Sequence, residues 1–222
     1  MTLTFPLLDQ PLRFVENQVN VLVIESPSEL RRFLYELSEQ IDGSRGGFVL
    51  AENYTPVELG DAAALITDPF HPDLGSRKLS NRINQIALET AEEHTEAVRA
   101  ILSAINELAA EISCELEFDA AYDELESPAE LIRILGFRLD REALGFSETL
   151  LEWMRLQRMF FRKRLFIFYG LKACLEPDEL ASFYRSIFYE KLDVLLIEPF
   201  QRSHPFPQEF LTIIDKDLCV IQ

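Results

Sequence analysis

Between Asn20 and Glu25 the chain reads NVLVIE, an apolar run too uniform for a strand with one face in water. Side chains alternate between the two faces of a strand, so such a run has to be covered on both sides. That is the situation of a strand in a parallel sheet beneath helices. A helix signal follows at once. SPSELRRFLYELSEQIDG opens with Ser26 as N-cap, Pro27 at the first helical position and Glu29 placed for a capping box, and Gly43 stands just past its end to serve a C-terminal cap. The pattern returns near the C-terminus. LFIFYG (165–170), a helix across EPDELASFYRSIFYEKL and DVLLIE (193–198) form a strand–helix–strand unit, whose default connection is a right-handed parallel crossover. TLTFPLL (2–8), GFVLAE (47–52) and AALIT (63–67) are further strand candidates, and DLCVIQ closes the chain as a last strand. The fold class expected is α/β with a mostly parallel sheet.

The middle of the chain has a different character. From Arg77 to about Leu125 there is neither Pro nor Gly. Leu79, Ile83, Ile86, Val98, Ile101, Leu102, Ile105, Leu108 and Ile112 recur at helical spacing, which predicts one long helix or two in sequence. Ser127-Pro128-Ala129-Glu130 is a second capping box and starts a short helix ending near Gly136. Residues 147–164 read as a further helix. The expected organisation is an α/β head from residues 1–76 and 147–222, with an α-helical leg inserted at 77–146. A chain of 222 residues is long enough for both.

The formal charge is −17, from 38 Asp and Glu against 21 Lys and Arg, which argues against a general nucleic-acid binder. The distribution is uneven, however. Residues 100–132 hold nine acids and no Lys or Arg, whereas RLQRMFFRKR (155–164) holds five bases and no acid. ELEFDAAYDELE contains Glu115, Glu117, Asp119, Asp123, Glu124 and Glu126. Placed on a helix, Glu115, Asp119, Asp123 and Glu126 fall within an arc of about 80°. This is either a solvated face or a site for a hard cation such as Ca²⁺, which takes oxygen ligands; it is not an EF-hand loop. The basic cluster Arg155, Arg158, Arg162, Lys163 and Arg164 is open in the same way: partners for the surplus acids, or a strip that contacts phosphates. Arg77, Lys78 and Arg82, at the head of the long helix, are a second and smaller candidate.

Other chemistry is missing. No GxxxxGK[ST] or GxGxxG occurs, and GSRGG (43–47) runs from helix to strand where a phosphate loop runs from strand to helix. His71, His94 and His204 are far apart and show no metal-ligand spacing. Cys114, Cys174 and Cys219 have no CxxC pairing and read as reduced, mostly buried thiols of a cytoplasmic protein. Neither a signal peptide nor an apolar stretch of membrane-spanning length is visible.

Four segments in order, FPLLDQPLRF, LITDPFHPDLGSRKL, LFIFYGLKACLEPDELASFYRSIFYEKLDVLLIEPF and FPQEFLTIIDKDLCVI, resemble the type II-A CRISPR-associated spacer-acquisition (adaptation) family in its short form. The likeness runs from the first residues to the last. It implies an α/β head related to P-loop ATPases without their nucleotide motifs, plus a helical leg. It further implies a non-enzymatic homotetrameric ring that binds linear double-stranded DNA, without regard to sequence, during spacer acquisition. Ca²⁺ would be needed for assembly, and other adaptation proteins and the RNA-guided nuclease would be partners. The family's acidic segment falls on Asp119 to Asp123, with Ala121 in place of its central Glu. Two readings from other classes stay open beside it: a metal-dependent nuclease built on the acidic cluster, and an acidic protein-interaction module that mimics DNA.

Overall fold

The computed structural model describes residues 1–140, 144–202 and 205–221. The expectation for His204 therefore lies outside the described residues. The chain separates into two compact units, one formed by residues 1–72 and 144–222, the other by residues 73–143.

The first unit is built around a six-stranded sheet. Its strands are β3 (Val19–Ile24), β6 (Ala63–Ile66), β7 (Leu165–Tyr169), β8 (Asp193–Glu198), β9 (Glu209–Ile214) and β10 (Val220–Ile221). Their order is β10-β9-β3-β8-β7-β6, and only the β10–β9 pairing is antiparallel. All six residues of β3 are buried, as the apolar run from Val21 to Ile24 requires, and buried Asn20 donates Nδ2 to the Arg13 carbonyl at 3.1 Å. One sheet face, carrying Leu22, Ile24, Leu165, Ile167, Leu195, Ile197 and Ile214, packs in one core with Leu30, Phe33 and Leu37 of helix α1 (Pro27–Ile41). On the opposite face Phe166 and Phe168 meet the ring of Trp153, and Phe168 meets Phe183, all edge-on. Trp153 belongs to helix α6 (Phe146–Phe161) and Phe183 to helix α7 (Pro177–Glu190).

A second sheet was not foreseen. It is antiparallel, four-stranded and ordered β2-β1-β4-β5, from β1 (Thr2–Thr4), β2 (Leu12–Arg13), β4 (Val49–Glu52) and β5 (Thr55–Val57). The strand expected over residues 2–8 stops at Thr4. Pro6 has no N–H to give a ladder, and Leu8 N–H closes a turn on the Phe5 carbonyl at 3.0 Å. The short helix α2 (Leu59–Ala62) leads from this sheet into β6.

Two helical expectations need correction. Ser26 does sit at the N-cap of α1, but its hydroxyl meets Ser28 at 3.1 Å and Glu29 pairs with Arg32 at 2.7 Å, so no capping box forms. Of the two alternatives for the middle stretch the chain takes two helices in sequence, α3 (Arg77–Glu93) and α4 (Thr95–Glu115), broken at His94. There the Thr95 hydroxyl donates to the Glu92 carbonyl at 2.7 Å, which favours local side-chain bonding over continuation. Second, α4 ends at Glu115, so the acidic stretch beyond that residue is not a helix. At Ser127, by contrast, the predicted box is present in full. Its Oγ accepts from Glu130 N at 3.3 Å and Glu130 Oε2 accepts from Ser127 N at 3.1 Å, starting α5 (Pro128–Leu135), which closes on Gly136 at φ 62°. The strand expected at 217–222 narrows to β10, because Leu218 takes φ 64° in the turn after Asp215. The three cysteines are free, but Cys114 and Cys219 are exposed and Cys174 is half-buried, against the expectation of burial.

Candidate nucleic-acid interface

The five bases of residues 155–164 do not share one helix face. Helix α6 turns Leu150, Trp153 and Met154 inward, which leaves Arg155 and Arg158 outside. Both are engaged. Arg155 Nε and Nη2 donate to Glu190 Oε1 at 2.9 and 2.6 Å, and Nη1 reaches Glu152 at 3.3 Å. Arg158 Nη1 donates to the Glu190 carbonyl at 2.7 Å, at the last residue of α7, where a cation also suits the helix dipole. Arg162 leaves the helix altogether. It is the C-cap, at φ 58°, and the amides of Arg162 and Lys163 return to the carbonyls of Arg158 and Gln157 at 3.1 and 3.2 Å.

That reversal sends the next two bases in another direction. Lys163 Nζ donates to the Gly60 carbonyl, and the Arg164 guanidinium bonds the Glu52 carboxylate. Arg162 is exposed and meets no carboxylate among the described residues. Ala63, Leu165 and Asp193 are paired in register, so the cluster lies at the edge of the sheet where β6, β7 and β8 begin. The β4–β5 hairpin reaches the same edge. Glu52 pairs with Thr55 in it, leaving Asn53 and Tyr54 as a two-residue turn with φ 47° and 67°, and Tyr54 is fully exposed.

Arg77, Lys78 and Arg82 belong to the second unit. Arg77 and Lys78 occupy the first turn of α3, where Ser76 Oγ accepts from Leu79 N at 3.2 Å. Arg82 comes within 4.0 Å of Glu89.

The acidic residues form an extended strap. No base stands in the last turn of α4, where stacked carboxylates oppose the helix dipole, and Leu116 adopts extended backbone. The chain then doubles back along its own helix. Ser113 Oγ donates to the Ala120 carbonyl at 3.2 Å. Asn106 holds Leu125 at two points, its Nδ2 donating to the carbonyl and its Oδ1 accepting from the amide, each at 3.0 Å. Glu130 accepts the amides of Glu126 and Ser127, which pull its carboxyl below the usual range. Glu115, Glu117, Asp119, Asp123, Glu124 and Glu126 are all exposed. The 80° arc predicted from a helix does not exist. Among the described residues no three Asp, Glu, His or Cys side chains come close enough to hold one metal ion. Asn106 is the residue that sequence reasoning missed. Its only signal was an amide within an otherwise apolar helical repeat. Replacing it with alanine strips both polar groups of Leu125 of their partner, at a cost of about 1–2 kcal/mol. Hydrogen exchange should show the Leu125 amide exposed in Asn106→Ala while β3 and β8 keep their protection.

A protein-family model, Cas_Csn2, described as a CRISPR-associated protein, matches residues 40–218. That span holds every base and acid just described. The chain belongs to the Cas_Csn2 family. It is thereby a type II-A CRISPR adaptation protein. Among solved structures it is similar to a Pyrococcus furiosus protein described as an ABC transporter (ATP-binding protein). The TM-score is 0.40 at 9% identity, over 95% of this chain and 97% of that one.

In this Cas_Csn2 chain only Glu25 and Ser26 join β3 to α1, too short a link for a GxxxxGK phosphate cradle. A second polar site lies elsewhere in the same unit. Lys172, 6% exposed, sends Nζ to Glu209 at 2.7 Å, and Glu209 also accepts the Tyr184 hydroxyl at 2.6 Å. Burial first, then the Glu209 carboxylate, push the Tyr184 hydroxyl up, so it stays protonated and donates. Glu198 accepts the Lys172 amide at 2.9 Å, and burial raises its carboxyl against that bond. A cavity of about 570 Å³ adjoins, lined in part by Lys172, Cys174, Leu180, Arg202 and Phe206. Burial raises the Cys174 thiol and keeps it a poor nucleophile. Among the described residues no helix is long and apolar enough to cross a membrane.

Proposed function

We propose that this Cas_Csn2 protein is a non-enzymatic, cytoplasmic DNA-binding ring, a homotetramer that holds linear double-stranded DNA during spacer acquisition. The observation that carries this reading is the segregation of charge. The basic cluster sits in the α/β unit, with Arg162 exposed and free of carboxylates among the described residues, while Glu115 and the five carboxylates of the strap are confined to the helical unit. Symmetry multiplies each base by the number of subunits, so a minority of cations can line a shared channel despite a chain charge of −17. Arg77 and Lys78 support it further. Cations in the first turn oppose the helix dipole by about 0.3–1 kcal/mol each, and a phosphate there offsets that cost.

Self-association has its own support. Ile101, Ile105, Leu108 and Ile112 of α4 are 38–55% exposed and follow the four-three-four spacing of a helix–helix seam. Retention of linear duplex, with closed circular DNA of equal length passing through, is the test. Shortening of linear DNA in Mg²⁺ or Mn²⁺ would instead make the protein a nuclease. Failure to retain duplex at low salt would leave the acidic interaction module. Partners of this ring would be other adaptation proteins and the RNA-guided nuclease.

Calcium belongs to the same proposal with a limit. Among the described residues one chain does not gather its carboxylates into a chelate, so the cation is proposed only to relieve repulsion along the strap. Sedimentation in EGTA is expected to show smaller species than sedimentation in Ca²⁺. An identical profile removes the cation from the reading.

A further inference from the structure

We infer that Tyr54, at the tip of the β4–β5 hairpin, is the aromatic platform on which the terminal base pair of a DNA end stacks. This rests on the DNA-binding reading above and gives the DNA end a specific contact. Three observations converge on it. The first is backbone conformation. A two-residue hairpin turn with both φ angles positive is ordinarily filled by Asn-Gly, because the second position tolerates a side chain poorly. Asn53 fits the first position, but Tyr54 holds φ 67° where glycine belongs. A bulky residue there is a local liability, and local stability does not explain it.

The second observation is exposure. Tyr54 is fully exposed, so its ring gains nothing from packing within the chain. The third is position. Glu52, two residues before Tyr54, is bound by the Arg164 guanidinium, which ties the hairpin to the strip that continues through Lys163 to the exposed Arg162. An aromatic face beside phosphate-contacting bases is the arrangement by which proteins hold nucleic acid without reading its sequence. Within a duplex both faces of every base pair are already stacked. Only the terminal pair offers a free face, so an exposed ring at the tip of a two-residue turn fits an end and not the interior.

Tyr54→Gly separates this role from a structural one, because the two predict opposite signs. Glycine suits the turn, so the melting temperature should rise by about 2 °C. Loss of the ring should weaken binding to a short blunt duplex about tenfold. With 2-aminopurine at the terminal pair, wild-type protein should change the fluorescence of the label, and Tyr54→Gly should not. The same label at the centre of the duplex should report nothing with either protein. Tyr54→Trp should keep the terminal signal. An unchanged terminal signal or undiminished affinity in Tyr54→Gly overturns the assignment. So does intact DNA binding combined with weakened binding of a purified protein from the same CRISPR locus, which would make the hairpin a protein-docking element. Wild-type protein that binds no duplex in this assay brings down the DNA-binding reading as well, a result distinct from loss at Tyr54 alone.

Discussion

Lys172→Met is expected to destabilise the α/β unit by about 3–5 kcal/mol, the loss seen when one partner of a buried ion pair is removed. The reason lies in what remains. The Glu209 side chain is fully buried, and without Lys172 its charge is left, among the described residues, with the Tyr184 hydroxyl at 2.6 Å and the Phe206 amide at 3.3 Å. The effect should exceed that of the strap anchor Asn106, where neutral groups lose partners. Adding Glu209→Gln to Lys172→Met should return much of the stability, since no buried charge then lacks its counterion. A urea-denaturation cycle over the two single variants and the double variant measures this, with a coupling energy of several kcal/mol expected. Additive losses would mean that the pair does not act as a pair.

Raising monovalent salt from about 50 to 200 mM should weaken linear-duplex binding by about a thousandfold. A ring that neutralises about six phosphates has a slope near −5 in log K against log salt, and a fourfold rise in salt then costs about three decades. Arg162 is the most informative base to remove, because Arg155, Arg158 and Arg164 already bond Glu190 or Glu52. In a tetramer Arg162→Gln deletes four charges at once and should flatten the slope by about three to four. An unaltered slope takes Arg162 out of the DNA contact. Affinity indifferent to salt takes the whole phosphate-directed interface with it.

Local rules sufficed wherever short-range chemistry decided the structure. NVLVIE, LFIFYG and DVLLIE announced buried parallel strands because no water-facing alternation interrupts them. Ser127 and Glu130 announced a helix start because both halves of the box lie within four residues. The family resemblance was legible for the same reason, in the order of such segments, and the Cas_Csn2 match agrees with it. Most of the failures are long-range. β9 has no counterpart among the strands read from sequence, yet it pairs with β3 along the full length of both. Apolar spacing placed the acidic stretch on a helix, but two hydrogen bonds from Asn106, across nineteen residues, hold it as a strap. One failure is local: the sequence groups Arg162 with Arg155 and Arg158, but the left-handed cap at that residue turns it away from them. Lys172 and Glu209 offered no signal at all, because a buried ion pair has no sequence period.

The position of β3 has a consequence for how the protein comes into being. Its two hydrogen-bonding neighbours are β8 and β9, so Asn20 waits for Leu195 and Val19 for Glu209. During synthesis the central strand leaves the ribosome with both ladder edges open, and they stay open until residues 193–214 have been made. Residues 73–143 are contiguous and can reach their own structure in that interval. Closure of the sheet is thus a late event with very high sequence separation, the kind that is slow and leaves strand edges exposed to other chains. For a protein whose early segment is this apolar, crowding by neighbouring nascent copies is the hazard that its topology carries from the start.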